Sequence, residues 1–363
     1  MSLTPRLDKL EKNYIINGDM RISQRYVTAA AVAVANNTYT LDRWNYNKIS
    51  TAVHTITQDT DVPTPAQVES ATGEAYLFQN SMRLNLTTPD TSIAAGDVVN
   101  IRQFIEGYNW AKISQKPFTL SFWVKATTAG TYCVSLTNSG FNRSYVSEYT
   151  INATNTWEHK TINVDAAPLD GTWNYSTGIG LRVAWTLASG TDFQTTPNTW
   201  QTGGFFSTSN QVNGVNTGAT DFRITGVMIV EGTHDQPAFT TFGKTFEEEL
   251  IACQRYYEKS YDLGASAGAF PTYAGSHTWH AVGATNRPFT TLYFKVEKRV
   301  IPTITLYNPN DGNTVNPIWD TQNSTNHGIA SGGVSTKNYW LTPSGTPANN
   351  GSLYTNWAVD AEL

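Results

Sequence analysis

The sequence predicts a mainly β protein: a jelly-roll β-sandwich, a single linking α-helix and a small C-terminal β domain. Three observations predict it. Short alternating or apolar runs recur between Gly, Asn, Pro, Asp and Ser from Asn13 to about Gly243. Charged residues make up only 15% of the chain, below the roughly 25% usual in globular domains, and Thr, Asn, Ser and Gly take their place beside 11 Trp and 18 Tyr. One strongly signalled helix then separates this region from a second β-rich stretch.

Taken in order, residues 1–12 (MSLTPRLDKLEK) carry Leu3, Leu7 and Leu10 at helical spacing, too few residues for a stable helix alone. They read as an attachment segment. Residues 13–243 read as the sandwich, with strand-like runs at 38–46, 48–57, 75–86, 98–105, 117–126, 131–137, 144–151, 156–164, 179–187 and 222–230. In FTLSFWVKA the alternation sends Phe118, Leu120, Phe122 and Val124 to the core. Thr119, Ser121, Trp123 and Lys125 go to an otherwise exposed face.

The linking helix falls within 244–264. Thr245 and Glu248 fit a capping box, and Glu247, Glu248 and Glu249 meet the positive end of the helix dipole. Arg255 and Lys259 lie toward the other end, and Gly264 is a stop. Phe246, Leu250, Cys253, Tyr257 and Tyr261 recur at spacings of three and four, giving an apolar stripe, with Tyr256 beside it, that must be buried somewhere. Residues 265–363 form the tip domain, with strands at 289–297, 301–307, 338–342 and 353–359 and a loop at PNDGN, 309–313.

Composition excludes several functions. The net charge is −5 and no Lys/Arg cluster of the kind that neutralises phosphates appears, so nucleic acid is not a partner. No apolar run reaches the roughly 18 residues that span a bilayer, AAAVAVA at 29–35 included, and no secretory signal is visible. Cys133 and Cys253 read as two buried free thiols. Catalysis finds little support. Glycoside hydrolysis needs two opposed carboxylates; Asp59 with Asp61, or Asp165 with Asp170, are the pairs available, and surface loops explain them equally well. Asp59 and Asp61 are also candidates for a structural calcium ion, without an EF-hand-like loop around them. No other cofactor is expected. His277 and His280, three apart in a strand, point to opposite faces and do not make a metal site.

Binding has better candidates. Sugar recognition places a flat aromatic ring under a sugar face with amides and carboxylates nearby. GTWNY offers Trp173 and Tyr175 beside Asp170 and Asn174; TW offers Trp200 after Asp192 and Gln194; YNW offers Trp110; SHTWH offers Trp279. Each of these tryptophans is equally readable as packing.

Three further passages are distinctive. NYIINGDMRISQR followed by TYTLDRWNYN, the junction GVMIVEG…EEELIACQRYYEK, and the ending NWAVDAEL resemble tail fibre and receptor-binding appendage proteins of tailed phages, which carry a carbohydrate-binding-module-like jelly roll. The resemblance implies a virion protein, released by host lysis, that docks on other virion proteins through its N-terminus and attaches to host-surface polysaccharide. It places Trp44 in a core strand. It also implies a homotrimer, with Phe246, Leu250, Cys253, Tyr257 and Tyr261 packing around a threefold axis. A capsid decoration or head-fibre protein is the alternative. A polysaccharide depolymerase is a third reading, weakened by the lack of any 20–50-residue repeat.

Overall fold

The computed structural model describes residues 12–25, 33–218, 220–239, 245–281, 288–347 and 351–363. The attachment segment expected at 1–12 lies outside them except for Lys12, and AAAVAVA is described only from residue 33. The chain forms two compact units. The first takes its described residues from 12–21 and 33–249, the second from 22–25 and 250–363.

In the first unit, strands β1 (Thr38–Tyr39), β2 (Trp44–Ile49), β3 (Val53–Asp59), β4 (Ser81–Thr88), β5 (Val98–Glu106) and β6 (Phe118–Ala126) are followed by six more. These are β7 (Gly130–Asn138), β8 (Arg143–Ile151), β9 (Glu158–Val164), β10 (Ile179–Ser189), β11 (Trp200–Thr202) and β12 (Asp221–Glu231). They pair antiparallel in two sheets, ordered β1-β2-β5-β10-β7-β8-β11 and β3-β4-β12-β6-β9. The chain crosses between the two sheets repeatedly, while β1 and β2, β3 and β4, β7 and β8, and β10 and β11 stay in the same sheet as successive strands. Between them Trp44 meets Trp185 at 5.4 Å and Phe122 meets Trp185 edge-on at 5.7 Å, all fully buried.

Strand β6 departs from expectation on one side. Phe118, Leu120, Phe122 and Val124 do face the core, but Thr119, Ser121 and Trp123 on the other face are buried too. A helix missed in the sequence helps to cover them: α1 (Pro65–Thr72) sets Val68 against Phe78, Trp123 and Trp157. Its signals are present in TPAQVESATG. Thr64 and Gln67 make a reciprocal capping box, Pro65 opens the first turn, and Gly73 closes it at φ +80°. A second short helix, α2 (Gly107–Trp110), follows β5.

The neighbouring strand β12 carries a bulge between Thr225 and Met228. Gly226 sits there at φ +60°, and a Cβ would lie 2.6 Å from the Phe78 ring, so glycine is required on both counts. The opening motif packs beside this bulge. Asn13 accepts from Ile229 N and donates to Val227 O, and Val227 N donates to Gly18 O at 2.9 Å.

The junction helix is shorter than its pattern. Here α3 runs Phe246–Gln254, with the capping box formed as expected: Thr245 N donates to Glu248 Oε2 at 2.7 Å and Glu248 N to Thr245 Oγ1 at 3.2 Å. Tyr256 N then bonds Cys253 O, and the chain turns into a strand, so Tyr257 and Tyr261 do not lie on the helix. Cys253, Tyr257 and Tyr261 are buried within the single chain. They keep no surface for a second copy, which corrects the expected interface; Phe246 and Leu250 are half-buried. Both cysteines are free and buried.

The second unit contains β13 (Tyr257–Lys259), β14 (His277–His280), β15 (Thr290–Tyr293), β16 (Thr303–Tyr307), β17 (Ile318–Asp320), β18 (Thr325–His327), β19 (Ile329–Val334), β20 (Asn338–Pro343) and β21 (Ser352–Asp360). The last of these is the spine: β13, β16, β14 and β17 all pair with it. A separate three-stranded sheet runs β15-β20-β19. Trp279, Leu306, Ile318, Leu341, Leu353 and Val359 share one core.

Residues 22–25, expected inside the sandwich, are bound into this unit instead. Gln24 Nε2 donates to Tyr257 O, and Lys259 Nζ donates to the carbonyls of Gln24, Leu263 and Ala265. Arg25 stacks 3.8 Å over the Tyr257 ring and pairs with Asp360 and Glu362. The segment 265–363 therefore lacks β13 and this clamp when isolated.

The deepest polar contact is the Glu258–Lys298 pair at 2.6 Å, with both side chains fully buried. Burial pushes the Lys298 ammonium down, and Glu258 pushes it back up. Glu258 also accepts from Lys295 N at 2.8 Å, and Lys298 donates to Gln254 O. Glu258→Gln leaves that ammonium without its counter-charge and should destabilise the second unit by about 3–5 kcal/mol in urea unfolding. A loss below about 1 kcal/mol would show that the pair is not what secures β13.

Candidate functional site

The structure gathers three of the aromatic segments singled out in the sequence at one end of the sandwich. Trp173 stacks on Trp110 at 5.4 Å and meets Trp200 edge-on at 5.7 Å; Trp200 leans on Tyr145. The loops are tied by Tyr108 N to Ser176 O and Gly107 N to Gly178 O. Their fates differ. Trp110 is wholly buried and is a core residue, not a ligand contact. Trp173 and Trp200 are half-buried, with indole N–H groups spent on the carbonyls of Asp170 and Asp165. Tyr175 is exposed. In the second unit Trp279 is buried in the core beside His277, so it has no free face.

Three of the four carboxylates considered for catalysis or calcium are engaged elsewhere, and the fourth, Asp165, is exposed. Asp59 meets Arg223 at 3.2 Å, and Asp61 meets Lys125 at 2.7 Å and Arg223 at 3.5 Å. Asp170 is paired with Arg143, which holds its carboxyl below the usual value. Among the described residues no group of three or more His, Cys, Asp or Glu could hold a metal ion.

The better-formed site is one the sequence reading passed over. An open groove of about 410 Å³ lies on the outer face of the five-stranded sheet, lined by Gln67, Ser70, Trp123, Trp157 and His159 with Ala66 and Ala71. Strand alternation builds it. Trp157 and His159 are two apart at the head of β9, and His159 is the cross-strand partner of Trp123 on β6, their rings 5.2 Å apart. The cap of α1 supplies the opposite wall: Gln67 lines the groove and accepts at its Oε1 from Thr64 N at 2.9 Å.

Electrostatics keep the groove neutral. Burial, and then the charge of Lys160, pull His159 down to about 4, so it is an uncharged imidazole at pH 7, with one donor and one acceptor nitrogen. Trp157 is oriented by its Nε1, which donates to Asp61 Oδ1 at 3.0 Å. Burial alone would raise the Asp61 carboxyl, but the bonds from Lys125 and Trp157 and the charges of Lys125 and Arg223 hold it below its ordinary value. Among the described residues no carboxylate lines the groove. A second depression of about 420 Å³ at β8 holds one acid, Glu148, which accepts from Thr208 and Asn210. Neither hollow presents opposed acids. The signal that could have found the groove was WEH, a Trp and a His with period two, beside the outward Trp of FTLSFWVKA.

No protein-family model matches the chain, and no curated protein matches it. Several solved structures resemble it distantly. The enzymatically active domain of tailspike protein 4 from bacteriophage CBA120 is 16% identical over 60% of this chain and 21% of that chain, with a TM-score of 0.31. A family 11 carbohydrate-binding module from Clostridium thermocellum, in complex with a β-1,3-1,4-mixed-linked tetrasaccharide, is 12% identical over 57% of this chain and 99% of its own, with a TM-score of 0.30. The baseplate tripod of bacteriophage Tuc2009 is 10% identical over 63% of this chain and 58% of that one, with a TM-score of 0.22. The chain thus spans 21% of the tailspike domain's length and 58% of the tripod chain's. Likenesses this distant decide nothing about activity, and the sandwich rests on its own strand pairing.

His159 and His54 make the first unit acid-sensitive. His54 is buried beside the Tyr46 hydroxyl, and burial, then Lys48, pull it down to about 4. Between pH 6.5 and about 4 the unfolded chain takes up protons that the folded chain refuses, so stability is full above 6.5 and falls as the pH drops toward 4. His54 accounts for about 3 kcal/mol of that loss. Thermal melts from pH 7 to pH 4.5 should show the fall, and His54→Gln should flatten it.

Proposed function

We propose that this chain is a structural virion protein, a tail fibre or receptor-binding appendage that attaches to host-surface glycans. The observation that carries the glycan reading is the neutral groove between α1 and β9. Trp123 and Trp157, 3% and 7% exposed, form its apolar floor, and His159, Gln67 and Ser70 supply uncharged donors and acceptors suited to hydroxyl groups. Among the described residues the groove has no carboxylate in its lining, which supports holding a sugar chain rather than cleaving it. The virion reading is supported by the resemblance of the opening, junction and closing motifs to phage appendage proteins.

A homotrimer fits the second unit better through a different surface than the helix stripe. On the outer face of the three-stranded sheet, Trp340 stacks with Phe289 at 5.8 Å, and Tyr293 lies on the same face. Phe289 and Tyr293 are 63% and 72% exposed, an apolar patch that subunit packing would cover.

On a glycan array the full chain should bind a restricted set of oligosaccharides, and Trp157→Ala should weaken that binding by about tenfold or more while the protein stays folded. Unchanged binding would remove the groove from the proposal, and release of reducing sugar would replace it with hydrolysis. Light scattering should give three times the 40.0 kDa chain mass, and Tyr293→Ser with Trp340→Ser should lower it.

A further inference from the structure

We propose that the outer face of the seven-stranded sheet carries an oxyanion seat, formed by Arg102 and Arg182 with Asn45 and Thr137, for a carboxylate or phosphate group borne by an acidic glycan. The two arginines stand on neighbouring strands around one ring. Arg182 of β10 lies across from Phe104 of β5, and Ala184 lies across from Arg102, which places the guanidinium groups on a diagonal. Their central carbons are 5.0 Å and 6.0 Å from the Phe104 centroid.

Neither arginine meets a carboxylate among the described residues. Arg102 donates to the side-chain oxygens of Asn45 and Asn37 at 2.9 Å and 2.8 Å. Arg182 donates to the carbonyls of Asn138 and Ser139 at 2.6 Å and 3.3 Å. Every one of these acceptors is neutral. Four other cations of this unit are answered by acids: Arg83 and Arg223 by Asp221, Lys125 by Asp61, and Arg143 by Asp170. Burial, and then the charge of Arg182, pull Arg102 down to about 10; burial also lowers Arg182. Two half-buried like charges side by side are costly, and a bound anion offsets that cost.

The neighbours point the same way. Asn45 is the cross-strand partner of Arg102, and Thr137 is the cross-strand partner of Arg182, so all four side chains share one face. Asn45 and Thr137 are at most 1% exposed, yet Asn45 Nδ2 and Thr137 Oγ1 have no hydrogen-bond partner among the described residues. An oxyanion between the arginines would draw on forked guanidinium donors and on this amide and hydroxyl. The carrier being a glycan rests on the function proposed above; the seat itself does not.

Calorimetry on the full chain tests it with inorganic phosphate, trigalacturonic acid, mannose 6-phosphate and neutral galactotriose. We expect phosphate to bind, and one of the two acidic sugars to bind roughly tenfold or more tighter than galactotriose; which one identifies the natural group. Arg102→Gln and Arg182→Gln should each weaken phosphate binding by about tenfold. Asn45→Asp supplies an internal counter-charge to Arg102, so it should raise the melting temperature and abolish phosphate binding. Phosphate binding that is absent, or that survives Asn45→Asp and the double arginine variant, overturns the seat. Binding of phosphate through these arginines by a chain that binds no glycan upholds the seat and overturns the glycan reading.

Discussion

Burial of β6 on both faces is the constraint from which the first unit follows. A strand at the middle of an antiparallel sheet normally gives one face to the core and one to water. Here Phe122 fills the interior against Trp185 while Trp123, one residue on, is covered by Val68, Phe78 and Trp157. The second covering requires α1, and α1 requires the Thr64 cap and the turn at Gly73. Once the helix is in place it does not seal the whole face: Val68 packs with Trp157, but His159 on β9 stays half-buried beside Trp123. The remaining gap is the groove. Core, helix and groove therefore follow from one strand whose outer side carries Trp123 among its polar residues and has to be covered.

The two outer sheet faces treat charge in opposite ways. On the five-stranded sheet, Arg83, Arg223, Lys125, Asp59, Asp61 and Asp221 interlock, each cation facing an acid. That network is saturated: it positions Trp157 through Asp61 and leaves the groove beside it neutral. On the seven-stranded sheet Arg102 and Arg182 face amides and carbonyls, and no acid among the described residues neutralises them. The first arrangement suits contact with hydroxyls, where a net charge would only add desolvation cost. The second suits a ligand that brings its own negative charge.

Much of the fold was legible because strand signals are local. The runs at 98–105, 131–137, 144–151 and 222–230 fall on β5, β7, β8 and β12 nearly to the residue, since turn residues bound each one. The helix start at Thr245 was equally readable, because a capping box is a four-residue event. Its end was not. The apolar stripe continued through Tyr257 and Tyr261 at helical spacing, but those rings are claimed by Arg25 and Tyr307, contacts more than forty residues away in sequence. The same limit governed the site. Aromatic loops stand out by eye, yet whether Trp110 or Trp279 shows a face to solvent depends on what non-local strands lay over it. His159 became a candidate only when the pairing of β6 with β9 set it beside Trp123.

The unit boundaries carry the same lesson in energetic form. Composition gives no reason to separate 22–25 from the NGDM motif just before it. The separation comes from an ammonium: Lys259 is buried, and a buried ammonium must find acceptors. It takes three carbonyls, one of them from Gln24. Asp360 and Glu362 then bind Arg25, and Arg299 holds the carbonyls of Ala361 and Glu362. The ending NWAVDAEL is thus neither a tail nor a spacer. Its strand is the one on which β13, β14, β16 and β17 assemble, and its acids fasten a segment from near the start of the chain. A change in that ending disturbs the pairings of β13 and β16 and two ion pairs together, which is a physical reason for its last residues to be as distinctive as its first.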